Sequence, residues 1–304
     1  MPSRYGTAGM FVLLATLWGT SFVAARAALA DVPPVLLAAL RFDIAAVLMA
    51  GYALATTDEW VPTRRSGWYN VVLGGALFVA AHHALLFAGQ QYVTSAVAAV
   101  VVCLDPILAA GFARTLLPDE RLERLGIVGL VLGLVGVAVV ANPSPETMLA
   151  ADVVGVALIA LAAAAFALGA VTTRRFRTTL PVQTMQAWML AVGAVQLHVL
   201  ALFVPGERMS AITWSWPALV GLWYLAVVAA AVGYLLYFEL LDRLGPIEVS
   251  LVAYVAPIFA AIGGWIALEE SIRLQTIAGF GLVGAGFVLL KRTALVRELE
   301  TRYR

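Results

Sequence analysis

DPILAAGFARTLLPDERLERLGIVGLVLGLVG, residues 105–136, decides the reading, because it returns as APIFAAIGGWIALEESIRLQTIAGFGLVGAG at residues 256–286. In each copy a proline stands inside an apolar run, an acidic pair closes that run, and a second apolar run with spaced glycines follows. Pro106 matches Pro257, Glu120 matches Glu270, and Gly129 and Gly136 match Gly279 and Gly286, at an offset of 150–151 residues in a chain of 304. A duplicated set of apolar segments points to two related halves, an organisation common among membrane carriers.

Composition identifies the solvent. Hydrophobic residues make up 62% and charged residues 12% of the chain, and the mean hydropathy is +0.95. Long uncharged stretches separated by short charge clusters suit lipid, not water. A net charge of +1 gives no basis for a nucleic-acid partner or a polybasic membrane-surface domain. The single cysteine, Cys103, cannot form an intramolecular disulfide and reads as a small buried hydrophobe. The first apolar run lacks a small-residue cleavage site behind it and reads as a retained helix.

A hydrocarbon core about 30 Å thick needs about 20 apolar residues per helix. Ten stretches qualify: 9–29, 33–55, 68–89, 93–116, 124–141, 152–173, 184–204, 216–240, 246–268 and 274–291. The fold class predicted is all-α, a polytopic membrane protein of ten transmembrane helices in two inverted five-helix repeats, residues 1–145 and 146–304, the second ending in a short cytoplasmic tail. With a cytoplasmic N-terminus, fifteen of the nineteen Lys and Arg residues lie on the inner side, so the positive-inside rule places both termini in the cytoplasm of a cell-membrane protein. Five spans per repeat make the second half enter from the opposite face, and in such folds the substrate lies near mid-membrane between the halves.

Ionisable groups inside spans are expensive and need partners or water. Asp105 falls near the middle of stretch 93–116, beside Pro106, which leaves a carbonyl one turn earlier without its helical donor. Two readings are open: a proton carrier that is loaded on one side and unloaded on the other, or a fixed ion pair with Arg41. Arg41 lies about 12 Å from the outer end of its stretch by helical rise. Its planar guanidinium suits a substrate carboxylate, and an inter-helix structural pair competes with that role. Asp43, two residues on, must face elsewhere and is expected to pair with a polar group on the first or third stretch. His82 and His83 project about 100 degrees apart around the helix axis, so at most one faces a cavity squarely. His83, on a stripe with Phe87 and Gln90, is the candidate, as a titrating group or as a neutral hydrogen-bonded one. No metal-ligand spacing is present, and no cofactor is expected.

The cavity wall has further candidates in Trp18 with Ser21, Gln183 with Gln186, Tyr234 with Tyr237, and Ser250 with Tyr254 leading into Pro257; Trp18 and Tyr254 lie deepest. Interface anchoring and inter-helix packing compete for all of these residues. Pro106 and Pro257 are expected to kink their helices. Gly126, Gly129, Gly133 and Gly136 form one stripe, with a looser one from Gly279 to Gly286, and either braces the bundle or makes a dimer contact. The pairs Asp119–Glu120 and Glu269–Glu270 stand at water-exposed helix ends, where they cap the following helix, bind arginines or gate by salt bridge.

The Trp18-Gly19 pair, the Leu40-Arg41-Phe42 run, Pro106 and Pro257, and the acidic pairs followed by Gly-rich helices resemble the EamA family of the drug/metabolite transporter superfamily, over about residues 9–290. That resemblance implies a ten-helix exporter of small metabolites, often amino acids or related compounds, with a central cavity between the halves. The chain departs from the family at Asp105, where a neutral residue is usual, and at Asp119 and Glu269, where Gly usually precedes the acidic residue. The expected partners are a small-molecule substrate and the bilayer, and the expected state is a monomer or homodimer. An integral membrane enzyme would need a converging nucleophile and base or a metal set, which the sequence does not offer. A channel would need a ring of filter residues, whereas the duplication favours a two-state carrier.

Overall fold

Long runs of Ala, Leu, Val and Gly without water have one way to satisfy their backbone amides, which is to form helices. A computed structural model describes residues 4–116, 124–141, 150–176, 180–244, 249 and 251–302. Its regular structure is helical throughout. The helices are α1 Arg4–Ala28, α2 Pro34–Thr56, α3 Arg65–Gly74, α4 His82–Gln90, α5 Ser95–Val102, α6 Asp105–Leu116 and α7 Arg124–Ala141. There follow α8 Ala151–Arg175, α9 Val182–Ala201, α10 Trp216–Trp223, α11 Gly233–Leu244, α12 Val252–Leu268 and α13 Leu274–Arg302. The π-helical segment Gly75–Ala81 joins α3 to α4, and a second, Tyr224–Val232, joins α10 to α11.

Seven helical stretches are long and apolar enough to cross a bilayer: Gly6–Ala28, Pro34–Thr56, Arg65–Gln90, Ser95–Leu116, Ala151–Thr173, Val182–Ala201 and Trp216–Tyr237. Leu125–Ala141, Val252–Leu268 and Leu274–Leu289 are apolar helices of shorter described length. Their ends gather in two groups. At one end the Arg26 guanidinium donates to the Gln91 carbonyl at 2.8 Å, the Thr213 amide to the Asp31 carbonyl at 2.9 Å, and the Ser215 hydroxyl to the Asp31 carboxylate at 2.5 Å. At the other, the Asn70 amide donates to the carbonyls of Thr173 and Phe176 at 2.9 and 2.7 Å, and the Trp188 indole to that of Trp60 at 2.8 Å.

Stretch 93–116 is interrupted where a kink was expected. Helix α5 stops at Val102, Cys103 and Leu104 turn, and α6 restarts at Asp105. Pro106 therefore sits in the first turn of a new helix, where its missing N–H leaves no intrahelical bond unmade. Pro257 stays inside α12.

Helices pair closely because small residues line their seams. Helix α7 lies along α13, α2 along α9 and α1 along α12, while α8 packs on α4, α5 and α6. The glycine stripes meet each other in the α7–α13 seam. A methyl group added at Gly136 would stand 2.8 Å from the Gly279 carbonyl oxygen, and one at Gly286 would stand 2.5 Å from that of Gly129. Of the two readings of the stripes, the one found is bracing within the chain.

Two buried or half-buried carboxylates cap helices distant in sequence. Glu207, buried in the connection after α9, accepts the Val35 and Leu36 amides of the first turn of α2 at 3.0 and 2.9 Å. Glu270 accepts the Ser95 amide at 2.9 Å and the Ser95 hydroxyl at 3.2 Å. Capping was expected of Glu270 for the helix that follows it, α13, but the helix it caps is α5. A carboxylate at a helix start answers unpaired N–H groups and the positive end of the dipole wherever tertiary contact puts it. Glu269 adopts φ 55°, ψ 27°, the left-handed conformation that glycine occupies most easily. Asp119, Glu120 and Ser250 lie outside the described residues.

Candidate functional site

The break between α5 and α6 organises one half of the site. Tyr254 reaches across from α12 and its hydroxyl donates to the Cys103 carbonyl at 3.2 Å, while the Cys103 thiol donates to the Ala253 carbonyl at 3.2 Å. The Tyr254 ring leans on Phe287 with centroids 4.3 Å apart. Asp105 opens α6 beside this lock, within electrostatic range of both Tyr254 and Cys103. Its Oδ1 is buried and has no hydrogen-bond partner among the described residues.

Arg41 organises the other half. It is buried in α2, with its guanidinium 4.9 Å from the centroid of the Phe42 ring and 6.0 Å from that of Phe87. These are stacking distances that suit a planar cation. Its Nε has no hydrogen-bond partner among the described residues, and Tyr234 lies in electrostatic range. Arg41 and Asp105 form no ion pair, so the fixed-pair reading of Asp105 is not what the structure contains.

His83 joins the Arg41 cluster, with its ring edge-on to Phe42 at 4.5 Å and to Phe87 at 5.8 Å. Its Nδ1 lies 3.2 Å from the carbonyls of both Phe78 and Val79, and the Nδ1 of His82 lies 2.9 Å from that of Ala162. Carbonyls only accept, so the geometry assigns the ring proton to Nδ1 in each and leaves Nε2 as the acceptor. Phe78 and Val79 belong to the first π segment. The second π segment supplies Ala229, whose carbonyl takes the Trp18 indole N–H at 3.2 Å. A π segment thus borders each ring cluster, as such turns often do at functional positions.

Trp18 stacks on Tyr237 with centroids 5.5 Å apart and meets Tyr234 edge-on at 6.4 Å. The structure therefore brings Trp18 and Tyr234 together, and Arg41 with His83. The Ser21 hydroxyl is turned into its own helix, donating to the Trp18 carbonyl at 2.6 Å, a common fate for serine in a helix. Thr20, which the sequence does not single out, shares a 2.6 Å hydrogen bond with the Tyr224 hydroxyl from the second π segment. Only its period on α1, shared with Thr16, hinted at this.

Asp43 finds its partner on α9, not on the first or third stretch. Its Oδ2 lies 2.8 Å from Nε2 of His198. Among the described residues no three His, Cys, Asp or Glu side chains converge as a metal site would require. A cleft of about 80 Å³ between Tyr92, Val97, Asp152 and Arg273 lies at the bundle end, away from these clusters, and holds no more than a few waters.

The profile of the EamA-like transporter family matches residues 7–142 and again 153–292. The chain is 26% identical over 284 residues to an uncharacterized transporter of Bacillus subtilis, YvbV, covering 93% of this chain and 91% of the relative. It is 29% identical over 286 residues to an uncharacterized inner membrane transporter of Escherichia coli, YedA, covering 93% and 89%. A crystal structure of 23% sequence identity superposes with a TM-score of 0.64, covering 98% of this chain and all of that one, and shares its fold. With seven helices able to span a bilayer and the family profile matched over most of its length, this multi-pass membrane protein belongs to the EamA-like transporter family.

Proposed function

We propose that the chain is a secondary transporter that exports small amphipathic metabolites, such as amino acids, across the cell membrane by alternating access between two inverted five-helix halves, 1–145 and 146–304. In this reading it has ten spans and both termini in the cytoplasm, as the distribution of Lys and Arg favours. The two matches to one family profile support the halves, and so does the packing. Exchanging residues by an offset of about 150 turns α1 on α12 into α8 on α6, and returns α2 on α9 and α7 on α13 to themselves. The two π segments obey the same exchange.

One observation carries the function: a buried arginine and a half-buried aspartate with a buried Oδ1, neither neutralised by the other, border the ring-lined middle of the bundle. Arg41, with His83 beside it, binds the acidic group of the substrate, and Trp18, Tyr234 and Tyr254 flank its apolar part. Ser21 contributes through the backbone it steadies, and Pro106 and Pro257 give α6 and α12 their independent movement. Asp105 carries the proton that drives export, since a carboxylate without a partner in lipid is held by what it binds.

The test is a substrate panel in proteoliposomes, with and without a pH gradient, for the parent chain and Asp105→Asn. Gradient-driven transport is expected to vanish in Asp105→Asn while substrate exchange persists. Gradient-driven transport equal to the parent's removes Asp105 from coupling, and an absence of saturable counterflow in the parent removes the carrier reading.

A further inference from the structure

The Asp43–His198 pair lies outside the proposed transport site, and the described residues leave it partly uncovered. The two side chains are 45% and 42% exposed. They stand in the seam where α2 lies along α9, on the faces that carry Val47, Val195 and Val199, which are 72%, 63% and 49% exposed. Asp43 is nine residues into α2, roughly 13 Å along the helix from Pro34. His198 stands in the last turn of α9, and the connection that follows carries Leu202 and Phe203, 81% and 75% exposed, so apolar surface suited to lipid chains continues past the pair.

Only one hydrogen bond links the pair, from His198 Nε2 to Asp43 Oδ2 at 2.8 Å. Asp43 Oδ1 and His198 Nδ1 take no hydrogen bond among the described residues. Lipid tails offer neither donor nor acceptor, and an unsatisfied polar group facing them is strongly disfavoured. A second copy turned by a two-fold axis along the membrane normal matches both. With both ring nitrogens of His198 donating, it sets Nδ1–H of one copy against Asp43 Oδ1 of the other, twice, and brings the valines of the two seams into contact.

We propose that the α2–α9 seam is the contact surface of a homodimer, in which the Asp43–His198 pairs of two copies close a ring of four side chains across the two-fold axis. The valines supply the apolar contact, and the pairs set the register, since a polar group in lipid tolerates few alternative alignments.

The test uses the full chain in vesicles of phosphatidylethanolamine and phosphatidylglycerol, with benzoylphenylalanine placed in turn at positions 47, 195 and 288. Val288 is 54% exposed on α13 and serves as the control. Light is expected to produce copy-to-copy adducts from positions 47 and 195 and none from 288. Asp43→Ala in the position-195 background should reduce the adduct about tenfold at fixed dilution, the scale expected when two inter-helix hydrogen-bonded contacts are lost together. The exchanged variant Asp43→His with His198→Asp should restore it. Adducts from 47 and 195 to lipid alone overturn the proposal, as do copy adducts of equal yield from 288. Because the first arm leaves Asp43 and His198 intact, a misfolded Asp43→Ala leaves the question decidable. Transport is not read in this experiment, so its failure is distinct from failure of the transport proposal.

Discussion

The Glu270 carboxylate ties the end of α12 to the start of α5 by receiving the Ser95 amide at 2.9 Å. Helices from the two halves of the sequence are thus joined, and the first turn of α5 is served by Glu270 together with the Thr94 hydroxyl, which accepts the Val97 amide at 3.3 Å. Glu270→Ala is expected to lower stability by about 1–2 kcal/mol, through the lost cap and the lost charge at a helix N-terminus. Glu270→Gln, which keeps an accepting oxygen, should lose less. Thermal unfolding in detergent checks this, and equal melting of Glu270→Ala and parent would show the contact to be idle.

Next to it, Glu269 holds the left-handed conformation at φ 55°. Glycine adopts this without the contact between Cβ and carbonyl that other residues suffer. Glu269→Gly should therefore raise stability by about 0.5–1 kcal/mol, and Glu269→Val should lower it by more. A fall in melting temperature for Glu269→Gly would mean that its side chain contributes more than the backbone strain costs.

The α7–α13 seam separates glycines by what faces them. Gly136→Ala would bring a methyl to 2.8 Å from the Gly279 carbonyl, whereas Gly281 and Gly284 on the same seam partner, α13, have nothing within 4 Å of an added methyl. Overpacking predicts a loss of about 1–3 kcal/mol for Gly136→Ala and none for Gly281→Ala or Gly284→Ala. Comparative melting of the three variants decides it; equal tolerance would contradict the close seam.

Arg41→Lys keeps a charge but loses the planar fork and the stacking on Phe42 and Phe87. If Arg41 clamps an acidic substrate group, the apparent KM for counterflow should rise about tenfold or more, a difference of about 1.4 kcal/mol. An unchanged KM in a variant that folds normally would leave Arg41 a packing residue.

Much of the architecture was legible because lipid makes helices obligatory and short polar connections punctuate them. The ten apolar stretches all contain described apolar helix, and the resemblance in Trp18-Gly19, Leu40-Arg41-Phe42 and the two prolines led to the family whose profile matches. The glycine stripes read correctly as close-packing surfaces. The interruption at Cys103–Leu104 was less visible, since Pro106 marks both a kinked helix and the first turn of a new one. Partners were harder still. Nothing local in the sequence ties His198 to Asp43 or Glu207 to the start of α2, yet one pairs with Asp43 and the other caps α2.

By itself, then, the sequence determined a multi-pass helical protein of the EamA-like transporter family and the residue types at its middle, because composition and period act locally along the chain. Tertiary structure alone decided that Arg41 and Asp105 stand apart, that Ser21 turns into its own helix, and that Glu270 serves α5. Those outcomes depend on the rotation of each helix about its axis and on which helices lie side by side, and a rotation of one residue's worth, about 100 degrees, exchanges one partner for another.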